Sequence, residues 1–449
     1  MSKMLFIKGT LLLTFTGLLS RLLGFFYRIF LSHTIGAHGL GLFQLVLPLQ
    51  LLVMAVCASG IQSAISRLTA SETALHTPRH AGDYFIIGTI FSIMFSLFLS
   101  WILYAHADFW ATQILKESQT AILIQILSFS IPLSTLHTCV NSYYFGRKKA
   151  GFPAGVQLLE QIFRVGGCYV LYLIFESQKR TITPAIAVGG NLIGEIASSF
   201  ISLFAVSMHL KKTDYTFSHI KNSGRILKNL FQISMPLTLN KILLTVLSSM
   251  EVILIPARLQ MSGLSAKDAL SIYGIFTGMA LPLILFPATI TNSAAVMLLP
   301  SITELQTLGY QKRIQYVVHQ IFRYCLLFGG FCMILFLFFG EFFGNFLFHS
   351  QTAGTYIHTM AYICPFLYLN TTLTSVLNGL GKSGTCLIHS MISICIRVCF
   401  VLFAIPVFGI RGYLYGILCG ELVLTLLHMY ALSEKYFPGS PAQRYTGYT

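Results

Sequence analysis

The sequence predicts an all-α integral membrane protein of about twelve transmembrane helices in two pseudo-symmetric lobes of six. Three observations carry that expectation. Only 10% of the 449 residues are charged and 55% are hydrophobic, against about 25% charged in an ordinary soluble domain. The apolar residues gather in runs long enough to cross a bilayer. Matching residues recur between the two halves of the chain. With a mean hydropathy of +0.74, the chain has too few polar residues to clothe soluble domains, so the bilayer has to act as its solvent.

A helix needs about 20 apolar residues to cross the hydrocarbon. Such runs lie near 7–32, 40–66, 84–106, 119–145, 153–176 and 184–209, and again near 230–255, 271–300, 323–347, 356–380, 386–406 and 411–432. The first follows two lysines in the manner of a secretory signal. Arg21 interrupts it and no small-residue cleavage site follows, so it reads as an uncleaved first span. The expected organisation is an N-lobe over 1–209, a basic cytoplasmic linker over 210–229, a C-lobe over 230–432 and a tail over 433–449.

The net charge of +15 is concentrated in short connections between spans. With the N-terminus inside, about 18 Lys and Arg fall on the cytoplasmic side and about 6 outside, the asymmetry of the positive-inside rule. The strongest cytoplasmic segments are Arg147-Lys148-Lys149 and the linker with Lys211, Lys212, Lys221, Arg225 and Lys228. Lys179 and Arg180 fall on the opposite side. This distribution predicts a multi-pass bacterial plasma (inner) membrane protein with both termini cytoplasmic, bathed by membrane lipids. It gives no groove for nucleic acid. The ten cysteines are scattered through apolar segments without CxxC spacing or a metal-ligating His set, and read as buried small hydrophobes with no metal and no cofactor.

The internal repeat is the most informative feature. Pro132, Gly146, Lys149, Gly151 and Arg164 recur as Pro365, Gly379, Lys382, Gly384 and Arg397, all at one offset of about 233 residues. Leu47-Pro48-Leu49 recurs as Leu281-Pro282-Leu283, and Gly194-Glu195 as Gly420-Glu421. Six helices per half make the halves parallel repeats, related by an axis along the membrane normal. Two such lobes suggest alternating access by rocking about a central cleft. The in-span prolines free backbone carbonyls; the recurrence of Pro48 as Pro282 and of Pro132 as Pro365 makes these four the candidate hinges. Ordinary helix curvature is the alternative.

Charges inside the spans mark candidate function. Arg21 and Arg28 lie two turns apart on one face of the first helix, about 10 Å from each other, and no acid in that helix neutralises them. Lys241 stands near the start of the corresponding helix of the second half. Facing one another across a cleft, these three would form a cationic chamber suited to an anion such as a pyrophosphate, which arginine grips in bidentate fashion. Snorkelling to headgroups is the alternative for the arginines. Glu160 and Arg164, four apart, can pair as structural glue. Glu195 and Glu421 occupy equivalent positions and either pack the lobes against Arg164 and Arg397 or take part in ion coupling. Glu251 has no evident partner in its own helix and is a further candidate coupling carboxylate, with Na+ or H+ as the ion. His137, His389 and His428 read as packed hydrogen-bonders.

One motif match misleads. Gly379–Gly384, GLGKSG, fits GxGxxG but follows a membrane helix and not a strand, and it is the repeat counterpart of Phe145–Gly151. HExxH, GxSxG and acidic metal clusters are absent from the sequence, and the loops are short and basic. An enzyme is therefore not expected.

The opening KGTLLLTFTGLLSRLLGFFYRIFLSHTIGAHGLGLFQLVLPL, the following SGIQSAISRLTASE, and NSYYFGRKKAGFPAGVQLLEQIFRV with its second-half counterpart NGLGKSG resemble the stage V sporulation protein B family. That family belongs to the polysaccharide-exporter branch of the multidrug/oligosaccharidyl-lipid/polysaccharide (MOP) superfamily, and is similar to MurJ-type lipid II flippases. The resemblance implies a flippase for an anionic, undecaprenyl-pyrophosphate-linked oligosaccharide, with a role in peptidoglycan of the spore cortex. Arg21 and Arg28 match the family's first-helix arginines. Where MurJ-type flippases follow the second with Asp, this chain has Ile29. The competing expectations are a cation-coupled multidrug extruder of the same superfamily, disfavoured by the purely basic first helix, and a non-transporting scaffold for envelope assembly.

Overall fold

The computed structural model describes residues 3–74, 78–212 and 223–436. Residues 213–222 of the expected linker, including Lys221, and residues 437–449 of the expected tail lie outside them. Every regular element among the described residues is helical: α1 (Lys3–Thr34), α2 (Gly36–Thr73), α3 (His80–Ala105), α4 (Ser118–Gly146), α5 (Gly151–Ser177), α6 (Ala185–Lys211), α7 (Gly224–Met261), α8 (Ala266–Leu285), α9 (Ala288–Thr307), α10 (Gln311–Phe348), α11 (Gln351–Gly379), α12 (Ser383–Phe403) and α13 (Ile410–Ser433). Among the described residues, 11 of these are long and apolar enough to cross a membrane. The 32-residue α1, which carries Arg21 and Arg28, comes in addition and corresponds to the first apolar run of the sequence. At 38 residues each, α7 and α10 exceed the roughly 20 residues the hydrocarbon needs, so their ends extend beyond it.

One expected span is corrected. The 271–300 run is two helices, because the α-helical ladder breaks at Phe286 and Pro287. Pro287 has no N–H to donate, and the chain turns through short bonds from Thr289 N to Phe286 O (3.1 Å) and Ile290 N to Pro287 O (3.0 Å). At the repeat offset, α8 and α9 correspond to α2, which also departs from α-helical winding, as a π-helical turn over Ala55–Ser59. Pro48 lies inside α2 and Pro132 inside α4. Pro282 follows a π-helical segment, Ile275–Ala280, and Pro365 follows a 3-10 turn, Ala361–Ile363. The four candidate hinges thus all sit within helices, Pro282 and Pro365 just after irregular winding and Pro48 two turns before it.

By its own contacts the chain forms two compact units, Met1–Ile253 and Leu254–Thr449. Most of α7 belongs to the first, for a local reason: Asn229 donates to the Tyr84 hydroxyl (3.1 Å), and Phe231 meets Phe91 edge to face at 5.0 Å. In the first unit Ile65, Phe85, Val140 and Tyr143 centre a core drawn from α2, α3 and α4, with Leu230 of α7. In the second, Ile302, Val318, Leu369 and Val376 do the same for α9, α10 and α11. Apolar faces also point out of each unit. Leu327, Phe331, Ile334, Phe338 and Phe342 form an exposed stripe on α10, with Phe338 at 80%, which only an apolar solvent tolerates. Seven of the ten cysteines are buried, but Cys395 and Cys399 are exposed on α12.

The repeat is reproduced at the level of close packing. An added Cβ at Gly146 would lie 2.6 Å from Ser66 O, and at Gly379 it would lie 2.9 Å from Leu299 O; Ser66 and Leu299 are themselves repeat counterparts. At Gly194 a Cβ would meet Glu160 O at 2.9 Å, and at Gly420 it would meet Arg397 Cγ at 2.9 Å and Ser393 O at 3.2 Å. The glycines let α6 approach α5, and α13 approach α12, closely enough to hold the charged residues of each pair together. Gly194→Val is expected to cost about 1–3 kcal/mol through overpacking, whereas Gly155→Ala, with nothing within 4 Å, gains helix propensity. Thermal unfolding of the two purified variants in detergent checks the contrast.

Candidate functional site

The polar residues of the first unit converge where α1, α2, α4, α5 and α6 meet. On α1, Tyr27 and Arg28 are adjacent; on α5, Gln161 and Arg164 are three apart; on α6, Asn191 and Glu195 are four apart. The spacings of three and four put the α5 and α6 pairs each on one helical face. With Gln50 of α2 and Ser134 of α4, these side chains line a cavity of about 410 Å³ within the first unit. Leu47, Leu51 and Met54 supply an apolar wall. Tyr27 is anchored by donating to Ala187 O (3.3 Å), which fixes the face of α1 that presents Arg28.

Behind the cavity lies a buried charge cluster. Arg164 Nη2 donates to Glu160 Oε1, joining the two residues. His137 Nδ1 lies 3.1 Å from Glu195 Oε2, and His137 Nε2 lies 3.8 Å from Glu160 Oε2. Ser198 Oγ is 3.1 Å from His137 Nδ1. His137 and Glu195 are 4% and 5% exposed, while the side chains of Glu160 and Arg164 are 14% and 21% exposed. Arg164 Nε is buried without a hydrogen-bond partner. Of the predicted residues, Arg28, Arg164 and Glu195 come together at the cavity, and Glu160 stands directly behind. Arg21 and Lys241 do not join them: both are exposed.

The second unit carries the matching cluster. Arg397 Nη1 lies 3.6 Å from Glu421 Oε1. Asn370, the repeat counterpart of His137, donates through Nδ2 to Glu421 Oε2 (2.8 Å) and accepts from the Thr425 hydroxyl (2.9 Å). Ser393, the counterpart of Glu160, donates to Gly420 O (3.0 Å). Two turns away, His389 Nδ1 and His428 Nδ1 are 2.9 Å apart and His428 Nε2 is 3.0 Å from the Thr374 hydroxyl; these two are packed hydrogen-bonders. Glu251 is 4% exposed and is not without a partner.

Sequence reasoning missed Gln50, Gln161 and Asn191, and it missed His137 as the bridge between two carboxylates. The available signal was a polar residue one helical turn from an in-span charge, but that spacing alone does not say which helices meet. The arrangement offers guanidinium and amide donors to an anion at membrane depth. Among the described residues no cluster of His, Cys, Asp or Glu is built to hold a metal.

Comparison with known proteins agrees with this architecture. Stage V sporulation protein B of Bacillus subtilis (strain 168) is 28% identical over 440 residues, 97% of this chain and 85% of the relative. A solved structure of the lipid II flippase MurJ, in an inward closed conformation, is 17% identical with a TM-score of 0.72, covering 94% of this chain and 87% of that one. An inward-facing multidrug resistance MATE family transporter of the MOP superfamily is 15% identical with a TM-score of 0.67, covering 94% and 96%. The structural likenesses establish the fold, that of MOP superfamily transporters. A model of the polysaccharide biosynthesis protein family matches residues 6–306, well over half of the sequence, and the chain belongs to that family.

Proposed function

We propose that this protein is a flippase that moves an undecaprenyl-pyrophosphate-linked oligosaccharide, of the lipid II class, across the bacterial plasma membrane by alternating access of its two repeats. The observation that carries the reading is Arg28. It is half-buried, in a helix with no acidic residue, and it lines a cavity with Arg164, Gln50, Gln161 and Asn191. Donors of that kind at membrane depth suit the oxygens of a pyrophosphate and disfavour a cationic drug. Family membership supports a role in polysaccharide assembly, and the names of the relatives support a lipid-linked sugar and a setting in sporulation. The repeat supports rocking of two six-helix lobes, 1–209 and 230–432, about hinges at Pro48, Pro132, Pro282 and Pro365. The loop charges support cytoplasmic termini. Arg21 and Lys241 serve as exposed steering charges for the anionic headgroup, and Na+ or H+ is the coupling ion.

The test is rescue of a bacterium depleted of its own lipid II flippase. Growth restored by the wild-type chain supports the reading. No growth, with the protein shown to be in the membrane, moves the substrate to another lipid-linked glycan or favours the multidrug extruder; drug resistance conferred on a sensitive host identifies the latter. Rescue that survives Arg28→Ala overturns the anion-binding cavity and leaves the flippase reading standing.

A further inference from the structure

Comparison of the two repeats reveals an asymmetry that the anion reading does not use. In the second unit the cluster is complete with one carboxylate, Glu421, one guanidinium, Arg397, and the neutral amide of Asn370, which donates to Glu421 and accepts from Thr425. In the first unit the same positions hold an extra acid and an extra base together: Glu160 where the second has Ser393, and His137 where it has Asn370. Two carboxylates then face one guanidinium, Arg164. Before Arg28 at the cavity is counted, the carboxylates of the cluster exceed its guanidinium by one charge.

The position of the imidazole says where the balancing charge belongs. Its Nδ1 lies 3.1 Å from Glu195 Oε2, a buried oxygen with no hydrogen-bond partner, and 3.1 Å from the Ser198 hydroxyl, while its Nε2 lies 3.8 Å from Glu160 Oε2. A neutral imidazole carries hydrogen on one nitrogen only, so its other nitrogen would set a lone pair against a carboxylate oxygen. An added proton, on the ring or on the facing carboxyl, removes that conflict. We propose that His137, Glu160, Glu195 and Arg164 form a single-proton binding site confined to the first unit, and that its proton is taken up together with an anion bound in the Arg28 cavity. The first part stands on the geometry of the cluster; the second rests on the proposed function.

The other groups facing the cluster are Tyr27 and Arg28 of α1 and the neutral Gln50, Ser134, Gln161, Asn191 and Ser198. With Arg28 counted, the cavity and cluster together are neutral without the proton and carry +1 with it. A proton from solvent therefore strengthens anion binding, and by linkage the anion strengthens proton binding.

Binding of farnesyl pyrophosphate to the full chain in nanodiscs, measured at about pH 6 and about pH 8 in buffers of different ionisation enthalpy, reads the coupling. One linked proton changes affinity by at most about tenfold per pH unit, tighter at the lower pH. The wild type is expected to take up one more proton per bound anion than His137→Asn, a variant that copies the second repeat, and Glu195→Gln should lose the same proton. Equal pH profiles for wild type and His137→Asn overturn the coupling, because the probe's own titration is common to both. Ligand-free infrared titration keeps the site separate from the functional reading. A protonation band present in the wild type and in Arg28→Ala, but lost in His137→Asn, supports the site even if no anion binds; a band unchanged by His137→Asn overturns it.

Discussion

Arg28→Ala is expected to abolish rescue of a flippase-depleted bacterium while the protein reaches the membrane in wild-type amount. The side chain lines the polar cavity of the first unit, where its fork can meet two phosphate oxygens. Removing one partner of a desolvated, charge-assisted contact costs about 2–5 kcal/mol, and at 1.4 kcal/mol per factor of ten that is roughly a 30- to 4,000-fold loss in anion affinity. Arg28→Lys keeps the charge but not the planar fork, so an intermediate loss is expected. Arg21→Ala should do much less, because Arg21 is exposed and outside the cavity lining. Farnesyl pyrophosphate binding in nanodiscs orders the three variants; equal losses at both positions would overturn the distinction between a gripping and a steering arginine.

The second large effect is on stability. Arg164→Ala leaves Glu160 without its ion-pair partner beside His137 and Glu195, and the Arg164 side chain is only 21% exposed. Breaking a buried pair by deleting one member costs about 3–5 kcal/mol, more than the pair contributes when intact, because the surviving charge stays desolvated. Loss of the monodisperse peak in detergent is therefore expected for Arg164→Ala. The double variant Glu160→Gln/Arg164→Gln removes both charges and should recover much of the stability. A double variant no more stable than the single one would show that Arg164 acts through packing and not through charge.

These effects depend on contacts that periodicity reports only in part. The apolar runs made the helices and the membrane solvent legible, because a spanning helix must satisfy its backbone internally and therefore announces itself in one continuous segment. The Glu160–Arg164 pair was equally legible, being four apart on one helix. The break between α8 and α9 was less so: hydropathy continues across Pro287, and only the missing donor interrupts the ladder.

By itself the sequence determined the fold class, the family resemblance and the repeat, since all three are written as composition and spacing along the chain. Which in-span charges share a site was decided only by tertiary structure. Arg21 and Arg28 look alike in sequence, two turns apart on one face, but only Arg28 meets α2, α5 and α6 at a cavity. His137 looks like an isolated polar residue until α5 and α6, drawn close by Gly190 and Gly194, bring Glu160 and Glu195 to its two ring nitrogens. The physical reason is common to both cases. Helix periodicity records the direction in which a side chain points, whereas a site depends on what the neighbouring helices place opposite it.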